Sequence, residues 1–177
     1  MNDPTDRPVS VLFVCLGNHC RSPSAQAVAD AMLAGRSYAR FDSAGTSRSH
    51  VGSPPHPLAA AEGAHRGYRV DHLGRQVHPD DFTRCDLIVA MDRMNVDDLE
   101  RMRGGVDMRE GHYRTVEPVQ VQLLRRWDPF AMPGDEDTPD PWGEGPAAYR
   151  AMFDVLERTM PPLLQHLEWL YRERRDR

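Results

Sequence analysis

A short apolar run, Val9-Ser-Val-Leu-Phe-Val-Cys15, ends directly in a glycine-containing turn, and Ser22-Pro23-Ser24 opens a helix immediately after it. A short apolar run rich in β-branched valine is the mark of a strand buried on both faces. Pro23 sits at or near the first helical position, where its missing N–H costs nothing. A buried strand running through a tight turn into a helix is the first half of a βαβ unit, and it commits the chain to a parallel sheet covered by helices.

The alternation continues. Tyr38–Ala44 reads as a strand and Pro57–Gly67 as a helix; Asp86–Met91 is a second strongly apolar strand, with a helix over Asp92–Arg103. Residues 104–118 read as an irregular excursion with a short strand near Tyr113–Val116, and Val119–Arg126 as a short helix. Residues 127–146, rich in Pro, Gly and Asp, read as a long surface loop, and loops of that length are usually functional or disordered. A final helix runs from Pro146 to Arg172, with Met152, Phe153, Leu156, Met160, Leu163, Leu164, Leu167 and Leu170 on one side and Pro161-Pro162 expected to kink or split it. Residues 1–8 read as a flexible tail and 9–177 as one domain, a length that can bury a core without staples.

The turn itself, Cys15-Leu-Gly-Asn-His-Cys-Arg21-Ser22, places a cysteine and an arginine six residues apart between strand and helix. Its backbone N–H groups, with the unpaired amides of the helix start, make a nest for a tetrahedral anion. Gly17 permits a tight backbone and Asn18 tolerates left-handed dihedrals. Arg21 offers a planar fork of donors for two phosphate oxygens. A free thiol titrates near about 8.5, and helix N-termini with adjacent cations bring it to about 3.5–7.5. Cys15 is therefore expected as a thiolate nucleophile, with Ser22 donating a hydrogen bond to its sulfur. No metal or other cofactor is expected, because the loop already neutralises the phosphoryl charge. A dinucleotide site is excluded by the lack of G-x-G-x-x-G.

The wider composition excludes other classes. All 22 basic residues are Arg and the formal net charge is −5, so lysine-based chemistry and nucleic-acid binding have no support. Cys15, Cys20 and Cys85 cannot make a secreted disulfide framework, and no zinc-type spacing appears. No apolar run approaches membrane-spanning length, and the N-terminus lacks a basic segment leading into an apolar core; a cytoplasmic location is expected. A general acid must protonate the leaving oxygen. The 127–146 loop provides Asp128-Pro129 and Asp140-Pro141, and spacing alone does not choose between them; Asp135, Asp137 and Asp128 suit solvated turn or helix-cap roles.

These residues resemble the low-molecular-weight protein tyrosine phosphatases over most of the chain. The Cys15–Pro23 loop, Asp42-Ser-Ala-Gly-Thr46, Pro54-Pro-His-Pro57, Asp71-His-Leu-Gly-Arg-Gln76, Asp86–Asp92 and Pro139-Asp140-Pro141-Trp142-Gly143 carry the likeness. It implies an α/β fold with a central four-stranded parallel sheet and helices on both faces. It also implies Asp140 as general acid, and Asn18, Ser22, Ser43 and His72 as a network supporting the loop that Leu16, Gly17, His19 and Cys20 complete. In many members the counterpart of Cys20 forms a reversible disulfide with the nucleophile; a small packing residue is the alternative. The partner implied is a phosphorylated protein or peptide met by a monomer or weak dimer. Three departures fall in the substrate pocket: His19 and Ser49 stand where apolar or aromatic residues are usual, and Trp142 is followed by Gly143 rather than a second aromatic. Phosphotyrosine is the expected substrate and phosphoarginine the alternative. An arsenate reductase would need more cysteines than Cys85, which reads as core, and a non-catalytic phosphate binder would not need Cys15, Arg21 and an Asp-Pro loop together.

Overall fold

The computed structural model describes residues 7–110 and 119–176. Four strands, β1 (Val9–Cys15), β2 (Ala39–Gly45), β3 (Leu87–Ala90) and β4 (Gln120–Leu123), form one sheet in the order β2-β1-β3-β4. Every pairing is parallel, with Cys15 opposite Gly45 and Val14 opposite Ala90. All seven residues of β1 and all four of β3 are buried.

The two sides of β1 feed different cores. Val9, Val11, Phe13 and Cys15 pack with helix α1 (Arg21–Leu33) and the long C-terminal α5 (Pro146–Arg175). Leu12 and Val14 face Ile88, Ala90 and Leu99, the last from α4 (Arg93–Glu110). Two shorter helices, α2 (Pro57–His65) and α3 (Asp81–Arg84), complete the connections. Because the chain turns to β2 on one side of β1 and to β3 on the other, the carboxyl ends of β1 and β3 open a crevice at a topological switch point. Open α/β sheets bind their ligands there, and Cys15 is the last residue of β1.

Several expectations need correction. Val119–Arg126 is a strand, Gln120–Leu123, followed by a 3-10 turn, Leu124–Trp127, rather than a helix. Its alternation Val119, Val121, Leu123 has the strand period, and pairing with β3 along the sheet edge decides the matter. Helix α4 continues through Gly104-Gly105 to Glu110 instead of ending at Arg103. The strand expected near Tyr113–Val116 lies outside the described residues. Helix α5 is continuous across Pro161 and Pro162 rather than split. Met160, Leu163, Leu164 and Leu167 are buried on both sides of that pair, so the apolar face holds the helix together where two backbone donors are missing.

Candidate active site

The loop after β1 is held from below by β2. Thr46 N–H donates to the Cys15 carbonyl at 3.0 Å and Ser47 N–H to that of Leu16 at 2.9 Å. A Cβ on Gly45 would lie 2.7 Å from the Leu16 carbonyl oxygen, so no other residue lets the loop sit this close. Asn18 adopts a left-handed φ of 51°. Gly17 has no such φ; a side chain there would strike the His50 ring, 2.9 Å from the Cβ position. Its service is space, not the backbone freedom expected of it.

Asn18 is the hub of a buried polar cluster. Its Oδ1 accepts the Arg75 main-chain N–H at 2.9 Å, an obligate donor that settles the orientation of the amide. His72 Nε2, 2.9 Å from the same oxygen, must then donate. Asn18 Nδ2 donates to Ser22 Oγ at 2.9 Å and Ser43 Oγ at 3.0 Å, and Ser43 passes its own proton to Gln26 Oε1 at 2.8 Å. Ser22 has one proton for two acceptors, Cys15 Sγ at 3.0 Å and the more distant Ala44 carbonyl at 3.3 Å. Burial holds His72 below the usual imidazole value; its Nε2 carries a proton in either state, so titration leaves the hub intact.

Arg21 opens α1 with its side chain only 4% exposed. Its guanidinium binds Asp92 Oδ2 at 2.7 Å, the Thr138 carbonyl at 3.0 Å and Asp140 Oδ2 at 3.0 Å. Asp92 was not singled out from the sequence. It takes the Asn95 N–H with its other oxygen, at 2.8 Å, and so ties the start of α4 to the arginine.

The two Asp-Pro aspartates separate cleanly. Asp140 stands at Arg21, with a half-exposed side chain. The Asp128 side chain is fully buried between Arg125, at 2.9 Å, and Arg158, at 2.8 Å. Hydrogen bonds from Arg158, the Phe130 amide and Arg125 outweigh burial and hold its carboxyl down at about 2. It is an internal anchor, not the solvated turn residue expected. Asp137 caps α4 by accepting the Arg93 N–H at 2.9 Å, and Asp135 pairs with Arg125.

Above the loop is a cavity of about 260 Å³ bordered by Cys15, His19, Arg21, His50, Asp140 and Trp142. His19 and His50 stack with centroids 4.0 Å apart and planes within 3°. Trp142 tilts over both, 5.6 and 5.2 Å away. His56 meets the edge of His19 at 5.4 Å and stacks on Tyr149 at 5.0 Å. Ser49 lines the cavity, but its hydroxyl turns to Ser47; the ring in this wall comes from His50, one residue later. Sequence reasoning missed His50, His56 and Tyr149, which carry no local signal. Burial and the neighbouring imidazoles lower His19 from the ordinary value. Cys20 is buried and unbridged, its Sγ 3.6 Å from the Tyr149 hydroxyl, and burial pushes its thiol up to about 11. Cys85, half-buried at the start of β3, is pushed up to about 11 in the same way. Among the described residues no group of three His, Cys, Asp or Glu could hold a metal ion, and no helix is long and apolar enough to cross a membrane.

Residues 10–173 match the family model for low molecular weight phosphotyrosine protein phosphatase. A low molecular weight protein-tyrosine-phosphatase of Streptomyces coelicolor is 36% identical over 157 residues, covering 87% of this chain and 90% of the relative. The human low molecular weight phosphotyrosine protein phosphatase is 36% identical over 68% of this chain and 73% of its own. Among solved structures, a protein tyrosine phosphatase from Entamoeba histolytica superposes with a TM-score of 0.76 at 30% identity, covering 90% of this chain and 97% of its own. A Drosophila arginine phosphatase does so with a TM-score of 0.76 at 31% identity, covering 88% and 96%. The chain belongs to the low molecular weight phosphotyrosine protein phosphatase family.

Proposed function

We propose that this protein hydrolyses phosphotyrosine in proteins or peptides through a phosphocysteine intermediate. Cys15 attacks phosphorus as the thiolate while Arg21 and the loop amides hold the equatorial oxygens. Asp140 gives its proton to the departing phenolate and then takes one from the water that cleaves the phosphorus–sulfur bond. Ser22, 3.0 Å from the sulfur, stabilises the thiolate as it leaves. The observation that carries the reading is the position of Arg21. One buried guanidinium reaches Asp140 at 3.0 Å from a loop that also bears Cys15, so nucleophile, anion holder and acid border one cavity.

Turnover of 4-nitrophenyl phosphate tests this. Cys15→Ser abolishes it while the protein stays folded, Asp140→Asn slows turnover of a phosphotyrosine peptide by about 100-fold or more, and phosphate inhibits competitively. Full activity of Cys15→Ser overturns the mechanism.

A second substrate, phosphoarginine, keeps the same chemistry. The imidazole wall of His19 and His50 is more polar than a phenol ring requires, and the Drosophila structure compared above is an arginine phosphatase. Matched phosphotyrosine and phosphoarginine peptides decide the matter, and a higher kcat/KM on phosphoarginine replaces the first reading with the second.

A further inference from the structure

The segment that leads into Asp140 belongs to no helix or strand, yet Asp140 must be held over the cavity to serve as an acid. Arg21 of the catalytic loop takes Asp140 Oδ2 and the Thr138 carbonyl, each at 3.0 Å, and two arginines outside that loop hold the segment before them. Arg93, the first residue of α4, donates from its guanidinium to the Gly134 carbonyl at 2.7 Å and to Glu136 at 3.2 Å, and lies 3.8 Å from Asp137. From the 3-10 turn after β4, Arg125 donates to the Asp137 carbonyl at 3.0 Å and to both Asp135 oxygens at 3.3 Å. Successive residues of the segment are thus gripped by opposite arginines: 134 and 136 by Arg93, 135 and the carbonyl of 137 by Arg125.

Each arginine is itself anchored. The buried Arg125 shares Asp128 with Arg158 of α5. The Arg93 amide is fixed on Asp137 at 2.9 Å. The chain beyond is caught once more, by the Thr138 amide on the Met91 carbonyl at 2.7 Å. Between Thr138 and α5 the main chain makes only turn-like contacts, among them the Trp142 amide on Asp140 itself at 3.1 Å, while the side chains of Asp140 and Trp142 meet Arg21 and the rings of His19, His50 and His56.

We propose that Arg93 and Arg125 are positioning residues for the general acid, a two-sided clamp that sets where Asp140 presents its proton. This rests on Asp140 being the acid of the reaction proposed above. A group that reacts from the end of a loop loses rate steeply with small displacement, about 100-fold for 1 Å. Neither arginine borders the phosphate cavity, so loosening the clamp misplaces the acid and leaves the anion nest intact.

The acid matters most when the leaving group is poor. Tyrosine's phenol titrates near about 10, whereas 4-nitrophenol is far more acidic and leaves with little help. The test is kcat/KM, which reports transfer to Cys15, measured on a phosphotyrosine peptide and on 4-nitrophenyl phosphate. The variants are Arg125→Met, Arg93→Gln, Asp135→Asn and the reference Asp140→Asn, each with the inhibition constant for inorganic phosphate. Arg125→Met and Arg93→Gln are expected to lower kcat/KM about 10- to 100-fold on phosphotyrosine and only a few-fold on 4-nitrophenyl phosphate, with phosphate inhibition unchanged. Equal losses on both substrates, or none, overturn the clamp. Should Arg125→Met fail to fold, the solvent-facing Arg93→Gln and Asp135→Asn carry the same decision. Asp140→Asn separates the two claims: without a skew there, the acid assignment itself falls, and with a skew there but none in the arginine variants, only the clamp does.

Discussion

Ser22 Oγ lies 3.0 Å from Cys15 Sγ and accepts a hydrogen bond from Asn18 at 2.9 Å, so its own proton goes to the sulfur or to the Ala44 carbonyl, which at 3.3 Å is the more distant acceptor. A hydrogen bond to a charged group contributes about 1.5–3 kcal/mol. Ser22→Ala is therefore expected to slow breakdown of the phosphocysteine about 10- to 100-fold. Rapid-quench kinetics will show a burst of phenol followed by a slow steady state, and a variant whose two phases slow equally contradicts the assignment.

Asp92 divides its carboxylate between Arg21 and the Asn95 amide. Asp92→Asn leaves a buried guanidinium short of a charged partner, which costs about 1.5–3 kcal/mol. The expected result is a lower denaturant midpoint together with a weaker inhibition constant for phosphate, since Arg21 loses its fixed orientation. A change in stability alone confines Asp92 to capping α4.

The Asp128 carboxyl, held at about 2, makes an acid-side prediction. The folded state binds its proton less readily than the unfolded chain, whose value is about 3.9. Its stabilisation is therefore complete above about pH 4 and is lost as pH falls through about 2. Asp128→Asn, leaving Arg125 and Arg158 without their shared anion, is expected to lower the melting temperature at pH 7 and to flatten its decline between pH 4 and 2. An unchanged acid profile rules out that linkage.

The difference between Asp128 and Asp140 also marks what could be read from the sequence. Both precede proline in one loop, so local chemistry treats them alike; resemblance to the family favoured Asp140. Arg158, thirty residues on in α5, decides the fate of Asp128, and no spacing rule reports a contact across the fold. The Cys15–Arg21 loop was legible because strand, turn and helix start are consecutive and its physics is local. β4 was misread because its strand character comes from pairing with β3, which local helix propensity does not register. His50 and His56 were illegible because three loops must meet before their rings do.

His19, His56, His72 and His166 all titrate below the ordinary imidazole value because burial disfavours their charged forms. For a base with a lowered folded value, the unfolded chain binds more protons in the window below about 6.5. Stability is then full above that pH and declines as pH falls beneath it. Melting temperatures between pH 7.5 and 5.5 are expected to drop, and His19→Asn to make the drop shallower. A flat profile would show that the imidazoles titrate as in the unfolded chain.

Trp142 projects half into solvent beside the stacked His19 and His50. Nothing in the anion nest needs this ring, whereas a phenol seated above Cys15 would meet the wall that it forms with the imidazoles. Aromatic stacking contributes about 0.5–1.5 kcal/mol beyond area burial, so Trp142→Ala should raise KM for a phosphotyrosine peptide about 2- to 10-fold. Inhibition by inorganic phosphate, which reaches only the loop, should not change. The contrast separates a substrate wall from a loop anchor. Were Trp142 an anchor for the Asp140 segment, its loss would lower kcat/KM with the leaving-group skew expected of Asp140→Asn and leave ring recognition intact. A pure KM effect on aryl substrates assigns the ring to recognition, and a matching effect on phosphoarginine peptides would show that the wall selects for a flat group rather than for a phenol.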